Sequence, residues 1–180
     1  MSLLTYLDLV DLVDQGMIEN LSHEQINGAS IDVTLGRYIK IEDPKGGVVD
    51  VSAKEPLKMR EHDLVEEPYR LHPGEFVLAS TREIFHLPHD IAFEYKLKSS
   101  LARVGLAHLV AGYADPGWHG SVLTLEYHNV TQHHQIVLKY GMPAGQCVFY
   151  RGRPVPVEQS YATRGNYNGD LRVTQSKGAR

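Results

Sequence analysis

The chain has 180 residues, 42% hydrophobic and 22% charged, with a formal net charge of −4. This suits one globular domain with a real core, and the acidic balance excludes bulk electrostatic recruitment to nucleic acid polymers or anionic membranes. A single cysteine, Cys147, excludes an intrachain disulfide, and no apolar run reaches transmembrane length, so a cytoplasmic protein with no membrane partner is expected.

Leu4, Leu7, Val10, Val13 and Met17 recur at spacings of three and four, opposite Asp8, Asp11 and Asp14. That pattern predicts a short N-terminal helix with a solvated acidic face, stopped near Gly16. Strand signals follow. Residues 29–35 alternate strictly after the Asn27-Gly28 turn pair, and Tyr38 to Ile41 continue beyond Gly36 in the opposite phase. Further strands are predicted over residues 47–51, 75–80, 108–112, 121–128, 135–140 and 146–150, punctuated by turns such as His72-Pro73-Gly74 and Asp115-Pro116-Gly117. Many short, closely spaced strands predict a mainly β domain over residues 1–163, a distorted antiparallel barrel or jelly roll. Residues 164–180 are polar and poor in apolar side chains, and their composition predicts a disordered end, with a mobile lid as the alternative.

Three segments carry candidate chemistry. In a strand from Ser121 to Asn129, Leu123, Leu125 and Tyr127 share one face, while Val122, Thr124 and Glu126 share the other. A mid-strand carboxylate either faces solvent, the commoner outcome, or lines a site where desolvation raises its pKa. In Lys98-Ser99-Ser100-Leu101-Ala102-Arg103, Ser99 is a good helix N-cap with Arg103 one turn on. Hydroxyls, cations and free N–H groups at a helix start suit a triphosphate, although a plainly capped surface helix has the same pattern. Asp115-Pro116-Gly117-Trp118 reads as a tight turn whose aspartate either bonds its own backbone or positions water or sugar. The ten histidines form no HxH or HExxH pattern, and a zinc deaminase signature needs more cysteines than the one present.

Taken in order, these segments resemble the dCTP deaminase family of the trimeric dUTPase superfamily over nearly the whole chain. The resemblance is carried by Ile26 to Gly36, by Leu71-His72-Pro73-Gly74-Glu75-Phe76 and by Ser99-Ser100-Leu101-Ala102-Arg103-Val104-Gly105-Leu106. Asp115-Pro116-Gly117-Trp118, Thr124-Leu125-Glu126 and Gly141-Met142-Pro143-Ala144-Gly145-Gln146 complete it. It implies a dUTPase-like β fold, a homotrimer with active sites shared between subunits, and a deoxycytidine triphosphate-like substrate carrying magnesium on its phosphates. By the same resemblance, Glu126 is the general base for a water attacking C4 of cytosine. Ser99 and the Ala111 carbonyl hold that water, and Arg103 supports the charge around it. Lys98, Ser99, Ser100, Arg103, Asp115, Thr124, Leu125, Gln146 and Tyr161 are the implied substrate contacts.

The chain departs from the family pattern in places. Leu97-Lys98 replaces Gly-Arg before the serines, which keeps a charge but loses the bidentate fork. The Arg103 to Asp115 interval is one residue short and the Asp115 to Glu126 interval one long, so a β-bulge is expected between them. In Tyr167-Asn168-Gly169-Asp170 the family's preceding lysine is Asn166 and its final glutamine is Asp170. Three functions stay open: dCTP deamination, a dUTP pyrophosphatase or bifunctional dUMP-forming enzyme relying on Asp115, and a non-catalytic nucleotide-binding protein. Ala111-Gly112-Tyr113 before Asp115 fits the bifunctional type, and deamination is the favoured retained activity.

Overall fold

Thirteen strands and three short α-helices succeed one another, with two 3-10 turns, in a computed structural model that describes residues 2–50 and 55–178. In chain order they are β1 (Ser2–Leu3), α1 (Tyr6–Asp14), β2 (Ile18–Glu19), β3 (Ile31–Thr34), β4 (Tyr38–Glu42), β5 (Met59–Asp63), β6 (Tyr69–Leu71) and β7 (Phe76–His86). There follow β8 (Ile91–Leu97), α2 (Ser99–Ala102), β9 (Leu106–His108), β10 (Tyr113–Ala114), β11 (His119–Asn129), β12 (Ile136–Leu138), β13 (Pro143–Arg151) and α3 (Tyr161–Arg164).

α1 begins where Thr5 N–H donates to Asp8 Oδ2 at 2.9 Å, and it gives way to Gly16 at a φ of +76° that suits glycine. Its buried side is Leu9 and Leu12, with Val10, Val13 and Met17 packed partly against the core. Leu7, expected on that side, is 74% exposed. The phase is set by the chain's entry: Leu4 N–H bonds Phe149 O as an extension of β1, so Leu4 is buried before the helix starts.

All strand pairings are antiparallel, in line with the expected mainly β fold. One sheet runs β1-β13-β8-β10 with β3 also on β13; a second runs β5-β4-β7-β11-β9 with β2 also on β7; β6 and β12 pair separately. The two main sheets share one apolar core, in which Phe93 and Phe149 from the first meet Phe85 and Tyr127 from the second, all buried. Burial of each such ring stabilises the fold by about 2–3 kcal/mol.

Several strand boundaries differ from the sequence pattern. Residues 47–50 lie outside any strand and Val51 lies outside the described residues. β5, β6 and β8 are strands the pattern did not single out: β5 is a charged edge strand, and β8 opens with three consecutive buried residues rather than an alternation. The strand expected over residues 108–112 is split, because Val110 adopts a left-handed φ of +62° and ends the ladder between β9 and β10. β11 carries two register irregularities, between His119 and Ser121 and between Val122 and Thr124. Both lie between Asp115 and Glu126, where the spacing calls for an extra residue to be absorbed.

Candidate active site

The β11 irregularities decide which side chains face outward. Beyond them the alternation is regular: Leu125 and Tyr127 enter the core, while Thr124 and Glu126 are half-buried. Before them, Val122 and Leu123 both border the same cavity as Thr124 and Glu126. That cavity has a volume of about 440 Å³ and is mainly apolar, with Phe76, Leu78 and Trp118 among its walls.

Tyr161 of α3 and the Tyr167–Ser176 stretch of the tail close it. The tail, which composition predicts as disordered, is laid along β11. Tyr167 O accepts from Trp118 Nε1 (2.8 Å) and Ser121 Oγ (2.9 Å), and Asn168 Oδ1 accepts from His119 N–H (3.0 Å). Val122 N–H donates to Asp170 O (2.9 Å), Thr174 N–H to Thr124 Oγ1 (3.3 Å), and Val173 is buried. These bonds satisfy an otherwise open stretch of β11 backbone, which a count of apolar residues does not register. Lys177 Nζ bonds both carboxylate oxygens of Asp170 (2.7 and 3.0 Å) and the Asn166 carbonyl (2.9 Å). A cation thus stands beside the two tail positions where the family pattern is altered.

Asp115-Pro116-Gly117-Trp118 is a type II turn, closed by Trp118 N–H on Asp115 O at 3.1 Å. Gly117 sits at φ +87°, and a Cβ there would lie 2.0 Å from Ser160 Oγ. Only glycine meets both demands, and the turn thereby sets Trp118 against Phe85 and Phe93 with its indole N–H aimed at the tail.

Glu126 lines the cavity as a half-buried carboxylate. Its Oε2 lies 3.1 Å from His108 Nε2, yet both atoms are buried and neither makes an aligned hydrogen bond. Beneath them, Tyr95 and Tyr127 share a hydroxyl contact of 2.9 Å, with the Ala144 carbonyl accepting. Burial pushes both phenols above their ordinary value, and the nearby Glu126 charge adds to the rise. They remain protonated donors at neutral pH.

Of the expected site residues, Glu126, Thr124, Ala111 and Tyr161 border this cavity. Asp115 is exposed in a neighbouring depression of about 380 Å³, to which Tyr161 and Tyr167 also contribute. The phosphate-directed residues lie elsewhere. Lys98 is paired with Asp32, Ser99 and Ser100 are exposed at the start of α2, and Arg103 is exposed in a separate surface hollow with Thr131 and Gln135. Ser99 is the first helical residue and Lys98 the N-cap, one position earlier than expected. Gln146, opposite Asp32 and Lys96 in β13, does not wall the cavity, and Leu125 is a core residue with no exposure. His108 and the closing Tyr167 and Trp118 were not assigned to the site from sequence. Nothing in Leu106-Ala107-His108-Leu109-Val110 distinguishes its histidine from one buried in an ordinary strand. Among the described residues no group of three or more His, Cys, Asp or Glu side chains is arranged to hold a metal, and no helix is long and apolar enough to cross a membrane.

The structure is similar to that of 2'-deoxycytidine 5'-triphosphate deaminase from Agrobacterium tumefaciens, with a TM-score of 0.67 over 83% of the chain. At 21% identity that likeness shows the fold alone, and the chain spans about half, 48%, of that protein's length. A family model described as dCTP deaminase-like matches residues 3–152, and the chain belongs to that family. Its relatives include a "dCTP deaminase, dUMP-forming" of Thermobifida fusca, 40% identical across 97% of this chain and 92% of that protein. Another of the same name, from Methanospirillum hungatei, is 36% identical across 79% of this chain and 77% of its own.

Proposed function

We propose that the protein deaminates dCTP hydrolytically, with Glu126 as general base, and carries the product on to dUMP. The observation that supports this best is the placement of Glu126 in the wall of an apolar cavity roomy enough for a pyrimidine nucleoside, where the other lining carboxylate, Asp170, is already paired with Lys177. Water has no useful nucleophilicity at neutral pH until a base aligned with it removes a proton. In the proposed step, water oxygen bonds C4, its proton passes to Glu126, and the C4–N bond breaks as the amine leaves with protons returned through the same carboxylate. Dry apolar walls strengthen each of these polar contacts.

The names of the relatives favour dUMP over dUTP, and Asp115 beside the cavity, sharing Tyr161 with it, suits attack at the phosphates. Magnesium enters with the substrate: triphosphate oxygens are hard ligands, and the ion offsets their charge. The site is completed by a neighbouring subunit in a trimer. Ser99, Ser100 and Arg103 are exposed and stand apart from the Glu126 cavity of their own chain, as residues that serve a partner's cavity would. Residues 164–178 act as the lid, opening to admit the nucleotide. A cytoplasmic location suits this nucleotide-pool reaction.

Incubation with dCTP and magnesium, resolving ammonia, dUTP, dUMP and pyrophosphate, tests the reading. Ammonia with dUMP and no free dUTP is expected. Ammonia with accumulating dUTP would limit the activity to deamination. Pyrophosphate from dUTP without ammonia from dCTP would identify a pyrophosphatase, and binding with no product a regulatory protein.

A further inference from the structure

Two orphaned atoms, one on Glu126 of the cavity wall and one on His108 outside that wall, explain each other. His108 ends β9 with its side chain 5% exposed, and its Nε2 faces Glu126 Oε2 at 3.1 Å, while neither atom has another partner. Buried polar atoms in native interiors are almost always paired, so two lone ones in contact amount to a single hydrogen bond short of alignment. A small rotation of either side chain completes it.

The backbone decides which of the two is the donor. Val110 N–H donates to His108 Nδ1 at 3.2 Å, so Nδ1 presents its lone pair. In a neutral imidazole the ring proton then resides on Nε2, directed at the carboxylate. This arrangement is maintained at a cost. Val110 is β-branched and left-handed at φ +62°, a disfavoured conformation for such a residue, and it is 88% exposed, so packing does not offset the strain. Leu109 N–H bonds the Glu126 carbonyl at 3.1 Å and ties the strained loop to the strand that carries the base. The ring itself is held between Tyr95, with centroids 4.6 Å apart, and Tyr127 at 6.1 Å.

We propose that His108 is the positioning residue for Glu126: its Nε2–H holds Oε2, which leaves Oε1 facing the cavity to take the water's proton. A carboxylate free to rotate spends much of its time misaligned, and pinning one oxygen gives the other a fixed direction. With its Nε2 already protonated, His108 is not itself the base. The inference rests on the deaminase reading above and adds to it a residue that touches neither substrate nor water.

The test compares His108→Leu, His108→Gln and Glu126→Gln in the full-length protein with dCTP and magnesium. His108→Leu should lower kcat by about tenfold or more with KM within about twofold, because orientation of the base is lost while nucleotide binding is not. His108→Gln supplies an N–H of similar reach and should recover most of that loss. In a Glu126→Gln background, His108→Leu should cost nothing further. Long-range proton–nitrogen NMR on the wild type should show the Nε2–H tautomer, a readout that does not depend on turnover or on how the variants fold. An Nδ1–H tautomer, or His108→Leu with wild-type kcat, overturns the inference. So does a loss in His108→Leu that glutamine leaves unrecovered. If the wild type releases no ammonia, the deaminase reading falls and this inference with it; if the wild type is active and His108→Leu equally so, only the inference falls.

Discussion

The Glu126 cavity and the Ser99–Arg103 segment are both built from recognisable sequence, yet they end in opposite environments. The Glu126 cavity is walled by residues of β5, β7, β10 and β11, the Trp118 turn, α3 and the docked tail. Ser99, Ser100 and Arg103 lie on a four-residue helix, all exposed, and share none of those walls. One protomer thus sets Glu126 half-buried in an apolar wall and leaves Ser99, Ser100 and Arg103 in water. The contrast teaches that a motif's family role and its surroundings within one protomer are separate facts.

The largest effect that would break this comparison is at the base. Glu126→Gln keeps the shape of the side chain but cannot accept the water's proton, so kcat should fall more than about a hundredfold with nucleotide binding largely kept. Steady-state kinetics with an equilibrium binding measurement checks it, and comparable turnover would remove Glu126 from the role.

The surface segment is tested by mixing. Arg103→Ala and Glu126→Gln should each be inactive as homotrimers. After subunit exchange, random 1:1 assembly leaves about one quarter of shared sites with both residues intact. Activity should therefore return toward about a quarter of wild type. No recovery, or a monodisperse monomer by light scattering, would show that the sites are not shared.

The turn that joins cavity to tail predicts a stability change. Gly117→Ala combines a left-handed φ with a Cβ placed against Ser160 Oγ. A loss of about 2–4 kcal/mol is expected, seen as a lower denaturant midpoint. An unchanged midpoint would mean that the turn and α3 adjust freely.

The smallest effect concerns pH. Tyr95 and Tyr127 are raised above the ordinary value of 10.0, chiefly by burial. Their folded forms hold protons that the unfolded chain releases above that value. The stability they confer is therefore fully present below pH 10.0 and is lost as pH climbs toward their folded values. Ultraviolet titration should show these two phenols ionising only together with unfolding. Their ionisation in the intact fold would indicate that water reaches this buried tyrosine pair.

Much of the architecture was legible because it is local. Period-two alternation placed the strand ending at Asn129, the Pro-Gly turn placed Trp118, and the spacing of Glu126 from Asp115 called for a bulge that β11 supplies. What stayed hidden depends on groups far apart in the chain. β8 begins as a run buried on both faces, which periodicity does not distinguish from other apolar stretches. The tail looked disordered because its order comes from hydrogen bonds to β11 rather than from apolar side chains of its own.

By itself, then, the sequence determined a mainly β domain, its family, and the placing of Glu126 on the face of its strand opposite Leu125 and Tyr127, because alternation, turn chemistry and motif order are properties of neighbouring residues. Only the tertiary structure decided that Lys98 pairs with Asp32, that Lys177 neutralises Asp170, and that His108 stands against Glu126. Those relations join residues from 7 to 66 positions apart, set by register and by a strained backbone at Val110. Where a side chain ends up depends on which strands pair and how the ladder slips, and no local pattern encodes that distance.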